Sequence, residues 1–159
     1  MVRIKNRYLL VNILYPSLEN SQEIPYIVAL NQPTTNDLTS QALLKGLRSE
    51  VLFHFGDYGA GAIADNLSVK YLSPATSTFI LRVARAHYKL VWAALTLMNT
   101  VPVEEGRRCV FRVVRVSGTI RKIEEEAIRR AQEIIDKARC IESNKNRTFA
   151  MSLGLSETG

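Results

Sequence analysis

The chain has 159 residues, 47% hydrophobic and 23% charged, with a formal net charge of +6. That size suits one domain with a core of its own, and the composition excludes disorder, a collagen-like repeat and a coiled coil as the whole molecule. A membrane helix needs ~18 apolar residues, and the nearest candidate, Leu90 to Met98, has nine.

Residues Ile4 to Tyr15 read as a strand, because Tyr8, Leu9, Leu10, Val11, Ile13 and Leu14 form a nearly continuous apolar run that Pro16 ends. Residues 17–37 are polar, rich in Asn, Ser, Thr and Pro, and long for a connection, so they read as an inserted, mobile loop. A helix is expected from about Leu38 to Phe55, with Asp37, Thr39 or Ser40 as its cap. Its stripe is Leu44, Leu47, Val51 and Phe55, and Gly56 is its stop. Asn66 to Tyr71 reads as a short strand, turned at 73–76 into a second strand over Thr78 to Ala84. A short helix from about His87 to Met98, a loop over Thr100 to Gly106 and a strand over Arg107 to Val116 follow.

A long helix is then expected from Ile120 to Ile141, with an apolar stripe through Ile123, Ala127, Ala131, Ile134 and Ala138. Its other face offers the i,i+4 pairs Glu125–Arg129, Glu126–Arg130 and Glu133–Lys137, the pattern of a solvated face. Residues 1–142 therefore read as one domain, and 143–159, rich in Ser, Asn and Gly, as a flexible tail. The order β-α-β-β-α-β-α is that of two split β-α-β units. It predicts an α+β sandwich of the ferredoxin-like, RRM-like kind: an antiparallel four-stranded sheet with helices on one face. Such a fold does not name a function.

Charge is uneven along the chain. Residues 1–80 carry six basic and six acidic side chains, whereas 81–159 carry fifteen and nine. The stretch 107–122 holds Arg107, Arg108, Arg112, Arg115, Arg121 and Lys122 and no acid, and Arg3, Lys5 and Arg7 add three cations at the start. Clustered positive charge favours a polyanionic partner, nucleic acid before membrane. No h-region or cleavage site follows the first basic residues, so no secretory signal is expected. Cys109 and Cys140 suit a reducing compartment.

Features of a catalyst are missing. His54 and His87 are the only histidines, no cluster has metal-ligand spacing, and no nucleophile elbow or P-loop lysine is present. Gly56-Asp57-Tyr58-Gly59-Ala60-Gly61 follows a helix and reads as a stop and turn. An enzyme of the acylphosphatase kind would want an Arg in the loop after the first strand, and residues 16–37 contain no Arg and no Lys.

An RRM that reads single-stranded RNA stacks bases on aromatic residues of its central strands. Here Phe79, Leu81 and Val83 share the core face and Ile80 and Arg82 the other, so there is no RNP motif. Phosphate contact is the better mode. Arg3, Lys5 and Arg7 alternate on one side of the first strand, as a solvated edge also would. Arg112, among β-branched neighbours, calls for a partner. In Ser117-Gly118-Thr119-Ile120-Arg121-Lys122, Thr119 can cap the helix and leave N–H groups for an anion. Arg121 and Lys122 oppose the helix dipole there; either a phosphate holds them or Glu124 to Glu126 offset them. The helix at 90–98 lacks a polar face. Leu90, Val91, Trp92 and Leu95 are therefore candidates for a protein interface, the alternative being cover by another helix of the chain.

The blocks Met1-Val2-Arg3-Ile4-Lys5-Asn6-Arg7-Tyr8-Leu9-Leu10, Phe55-Gly56-Asp57-Tyr58-Gly59, Val69-Lys70-Tyr71, Thr76-Ser77-Thr78, Ile80-Leu81-Arg82 and Val116-Ser117-Gly118-Thr119-Ile120-Arg121-Lys122 occur in this order. Together they resemble the small conserved protein subunit of eukaryotic and archaeal ribonuclease P, a family shared with RNase MRP and the fifth named for processing of precursor RNA. The insertion at 17–37 is similar to fungal members, and residues 143–159 match no block. The resemblance implies an RRM-like sandwich without RNP motifs that holds the catalytic RNA in its active form. In that family the RNA and its Mg2+ ions remove 5′ leaders from precursor tRNA, and the MRP particle processes ribosomal RNA; the protein chain itself binds no cofactor. It further implies a TIM-barrel-like protein partner, a second small subunit of similar fold in fungi, and nuclear and nucleolar residence. By position Arg3, Lys5 and Arg7 become the first RNA contacts, Arg121 and Lys122 with Thr119 the next, and Arg82 and Arg112 follow. Two alternatives stay open: a protein-binding scaffold with indirect RNA contact, and a small ferredoxin-like enzyme.

Overall fold

A computed structural model describes residues 5–16 and 26–152. In chain order the elements are β1 (Asn6–Leu14), α1 (Tyr26–Leu30), α2 (Ser40–Ile63), β2 (Ser68–Ser73), β3 (Thr78–Ala84), α3 (Tyr88–Leu97), β4 (Val110–Ser117) and α4 (Ile120–Ser152). The strands form one four-stranded sheet in the order β2-β3-β1-β4, with every neighbouring pair antiparallel. The expected order is present, with α1 added.

β1 lies in the sheet interior, and its nearly continuous apolar run follows from cover on both faces, because a strand buried on both faces does not alternate regularly with polar residues. Leu9, Val11 and Ile13 point to a first face with Phe79, Leu81 and Val83 of β3. There they meet Leu43, Leu47 and Val51 of α2 and Val91, Ala94 and Leu95 of α3 in one wholly buried core. Leu10 of β1 and Ile80 of β3 point the other way and meet Ile123 of α4, with Tyr8, Val114 and Ala127 around them. The expectation of helices on one face is thus corrected: α2 and α3 cover the first face and α4 the second. The cause lies in β1 and β3 themselves, whose second-face residues Leu10 and Ile80 are as apolar as the first-face set and need cover of their own.

Four further differences have local causes. α2 is capped by Thr39, whose side-chain oxygen accepts from the Ala42 N–H at 3.2 Å. It breaks at Gly56, where φ is 62° and ψ −156°, but resumes and runs to Ile63. That backbone region is essentially restricted to glycine, so Gly56 turns the helix without ending it. Gly59, just beyond, packs so closely that a Cβ there would lie 2.6 Å from Phe55 Cβ.

The insertion, read as a mobile loop, is fastened where it is described; residues 17–25 lie outside the described residues. The Tyr15 N–H donates to Leu30 O at 3.1 Å, the Asn12 side-chain amide to Asn31 Oδ1 at 3.1 Å, and the Thr34 N–H to Pro74 O at 2.9 Å. Arg107 stacks 4.6 Å above the Tyr15 ring and donates to Gln32 Oε1 at 3.0 Å. Polar composition here reflects hydrogen bonding to the sheet end.

β4 begins at Val110, later than expected, and Arg107 and Arg108 precede it, with Arg108 in an isolated bridge to Thr100. α4 continues past Ile141 to Ser152, so the expected tail is helical as far as it is described, and 153–159 lie outside the described residues. At ~1.5 Å per residue its 33 residues span ~50 Å, yet only Ile123 and Glu126 are buried. Among the described residues no helix is long and apolar enough to cross a membrane.

Candidate nucleic-acid interface

Antiparallel pairing of β1 with β4 joins two parts of the chain that are far apart in sequence. Tyr8 faces Ser117, so the start of β1 lies against the Ser117-Gly118-Thr119 corner that leads into α4. Arg7 is half-buried there, and its Nη1 lies 3.3 Å from the position a Cβ on Gly118 would take. That nitrogen donates to Asn6 O at 3.2 Å. Lys5, Thr119, Arg121 and Lys122 are exposed around the same corner. Arg3 lies outside the described residues. At the corner itself the Thr119 N–H donates to Ser117 Oγ at 3.3 Å, so the hydroxyl that turns the chain is that of Ser117. Arg121 Nε bonds Glu125 Oε1 at 3.0 Å in an open i,i+4 pair, which is the offset by nearby glutamates. Among the described residues Lys122 has no such carboxylate.

Arg82 and Arg112 belong to the second face. Arg82 faces Tyr8 across β3–β1, and the Asn6 side-chain oxygen, in the orientation that satisfies its hydrogen bonds, accepts from Arg82 Nε at 3.2 Å and Nη2 at 2.9 Å. Arg112 faces Asn12 and is exposed. The partner its apolar neighbours called for is missing among the described residues: the side chain escapes to solvent on the edge strand, and no carboxylate meets it.

The second face also holds a cluster that sequence spacing misread. Glu126 of α4 is buried and accepts four hydrogen bonds, two on each carboxylate oxygen. Arg115 Nη1 reaches Oε2 at 3.0 Å, Arg130 Nε reaches Oε1 at 2.9 Å, and Arg129 bridges both oxygens at 2.5 and 3.3 Å. Arg129 also pairs with Glu133. The expected Glu126–Arg130 pair is present, but Glu125 holds Arg121 instead of Arg129. Hydrogen bonds from Arg129 and then Arg130 pull the Glu126 carboxyl down to about 2, against the opposing push of burial, and Arg115 adds to the pull. The signal in the sequence was Arg115 itself, a cation near the end of a strand that leads into an apolar-faced helix.

Of the residues read as a protein interface, Val91 and Leu95 are corrected: both are wholly buried in the chain's own core, since α3 turns them onto the first sheet face. Leu90 is half-buried and Trp92 is 42% exposed. Sequence reading missed Phe53, 82% exposed, and Tyr58, which join Trp92 and Leu97 as large apolar side chains on the outside of the α2–α3 layer. Cys109 is buried, which pushes its thiol up to about 12. No group of three or more His, Cys, Asp and Glu suited to a metal ion occurs among the described residues.

Residues 7–128 match the model of the Rpp14/Pop5 family. The chain is similar to the ribonuclease P/MRP protein subunit POP5 of Schizosaccharomyces pombe, 47% identical over 130 residues that cover 82% of this chain and 88% of the relative. With the Saccharomyces cerevisiae subunit of the same name it shares 33% identity over 149 residues, 91% of this chain and 85% of the relative. A chain in the cryo-EM structure of yeast ribonuclease MRP superposes with a TM-score of 0.50 at 12% identity, covering 83% of this chain and 98% of that chain. At that identity the likeness concerns the fold alone.

Proposed function

The chain belongs to the Rpp14/Pop5 family, and from that premise we propose that it is a protein subunit of ribonuclease P and RNase MRP that binds and stabilises the catalytic RNA. The observation that carries this reading is the 47% identity to the fission-yeast subunit along most of both chains. Surface chemistry supports it: Lys5, Arg7 and Lys122 gather at one corner of the sheet with no carboxylate opposing them among the described residues, the arrangement that holds phosphates. In this reading the RNA with its Mg2+ ions cuts the leader from precursor tRNA, and in the MRP particle processes ribosomal RNA. The protein contributes position and charge. Its partners are the two RNAs, a TIM-barrel-like subunit and a second small subunit of similar fold, and it works in the nucleus and nucleolus.

The test is to purify the tagged full chain from its own cells at about 0.15 M salt and sequence the RNA that accompanies it. RNase P and MRP RNAs are the expected recovery; the absence of any structured RNA would overturn the reading. A scaffold with indirect RNA contact is the second reading, favoured by the exposed Phe53, Tyr58, Trp92 and Leu97. It expects reversal of Lys5 and Arg7 to leave RNA recovery unchanged and polar substitutions on the α2–α3 surface to abolish assembly.

A further inference from the structure

We propose that the arginines gathered around Glu126 on the second sheet face are a phosphodiester-binding site for RNA, separate from the β1–α4 corner, with Glu126 as its positioning residue. The inference rests on the reading that the chain binds RNA. Register supplies the first argument. Arg112 faces Asn12 and Arg115 faces Leu10, two positions apart on β1, so both arginines share the face on which α4 lies. α4 brings Arg129 and Arg130 to the same place through Glu126.

Donor capacity supplies the second. A carboxylate offers about four acceptor sites, and Glu126 already fills them with two bonds to each oxygen. Arg115 commits only Nη1 and Arg130 only Nε to it. Their remaining nitrogens have no partner among the described residues, and the two side chains are 47% and 37% exposed. Arg115, Arg129 and Arg130 share the two carboxylates Glu126 and Glu133, Arg112 on the same sheet face is unpaired among the described residues, and guanidinium cannot discharge by losing a proton.

Pre-organisation supplies the third. A surface arginine must lose side-chain freedom to hold a phosphate, whereas Arg115 and Arg130 have already been fixed by Glu126. The site is therefore a rigid donor array with surplus positive charge, and a chain of phosphates is the ligand that matches both properties.

The test uses the full chain in its assembled particle. Arg112 makes no intramolecular pair among the described residues, so Arg112→Glu should leave the melting temperature unchanged. It should lower recovery of RNase P RNA in a 0.15 M salt wash by about tenfold or more, the scale of one missing charge-assisted bond. Arg112→Lys should restore most of that recovery. The double variant Arg115→Gln with Arg130→Gln should reduce the log–log salt slope of RNA retention by roughly 0.7–0.9 for each phosphate that the protein no longer neutralises. Unchanged retention and slope in all of these, with wild type still bringing down its RNA, would overturn the site and leave the proposed function standing. Failure of wild type itself to bring down RNA would overturn the proposed function, and the site with it.

Discussion

The two faces of the sheet are built from the same four strands and have opposite characters. On the first, Phe79, Leu81 and Val83 interlock with α2 and α3, and every one of those side chains is wholly buried. On the second, among the described residues only Leu10, Ile80 and Ile123 form a buried apolar cluster, and arginines from β3, β4 and α4 share that face. The difference separates duties: one face carries the stability, and the other is free to devote its side chains to charge. A guanidinium on the first face would be an unpaired buried charge, while on the second it meets solvent on one side and Glu126 on the other.

The comparison breaks most visibly on the first face. Phe79→Ala removes a ring packed edge-on to Phe111 at 6.1 Å and should cost about 3–5 kcal/mol, measured by urea unfolding. A loss below about 1 kcal/mol would mean that the first face is not the core. The helix that covers this face depends on its kink. Gly56→Ala should cost about 1–3 kcal/mol through backbone strain alone, because a Cβ there meets nothing within 4 Å. A stability equal to wild type would show that α2 does not need the bend.

Acid sharpens the second face. The Glu126 carboxyl is held at about 2, below its ordinary 4.5. The stabilisation it brings is complete above the unfolded value and is lost as pH falls toward the folded one. Glu126→Gln should therefore flatten the stability decline between about pH 4.5 and 2 in pH-resolved melting curves. An unaltered decline would assign acid sensitivity to other carboxylates. The smallest effect concerns the thiols: exposed Cys140 should react with a thiol reagent in the native protein, and buried Cys109 only after unfolding. Equal labelling rates would show that the segment before β4 opens freely.

Much of this was legible in the residues. Alternation placed β3 at Thr78–Ala84 without adjustment, and Phe79, Leu81 and Val83 on one face against Arg82 on the other. The corner at Ser117–Thr119 was readable because small and capping residues interrupt two periodic patterns. What stayed hidden was tertiary. An apolar run like Leu9–Leu14 states that both faces of a strand are covered, but not by which helix, so the side on which α4 packs could not be read. α3 lacks a clear polar face, and periodicity could not separate Val91 and Leu95, which face the sheet, from Trp92, which does not. The i,i+4 spacing of Glu126 and Arg130 says nothing of a strand arginine, Arg115, arriving at the same carboxylate.

The most direct measurement is a cryo-EM structure of the ribonucleoprotein purified through this chain. The expected result is RNA backbone against Lys5, Arg7 and Lys122 at the corner, with the α2–α3 layer turned away from the RNA. A particle in which that corner meets only protein, or in which RNA lies across Phe53 and Trp92, would contradict an RNA-binding corner of the sheet set apart from the α2–α3 layer.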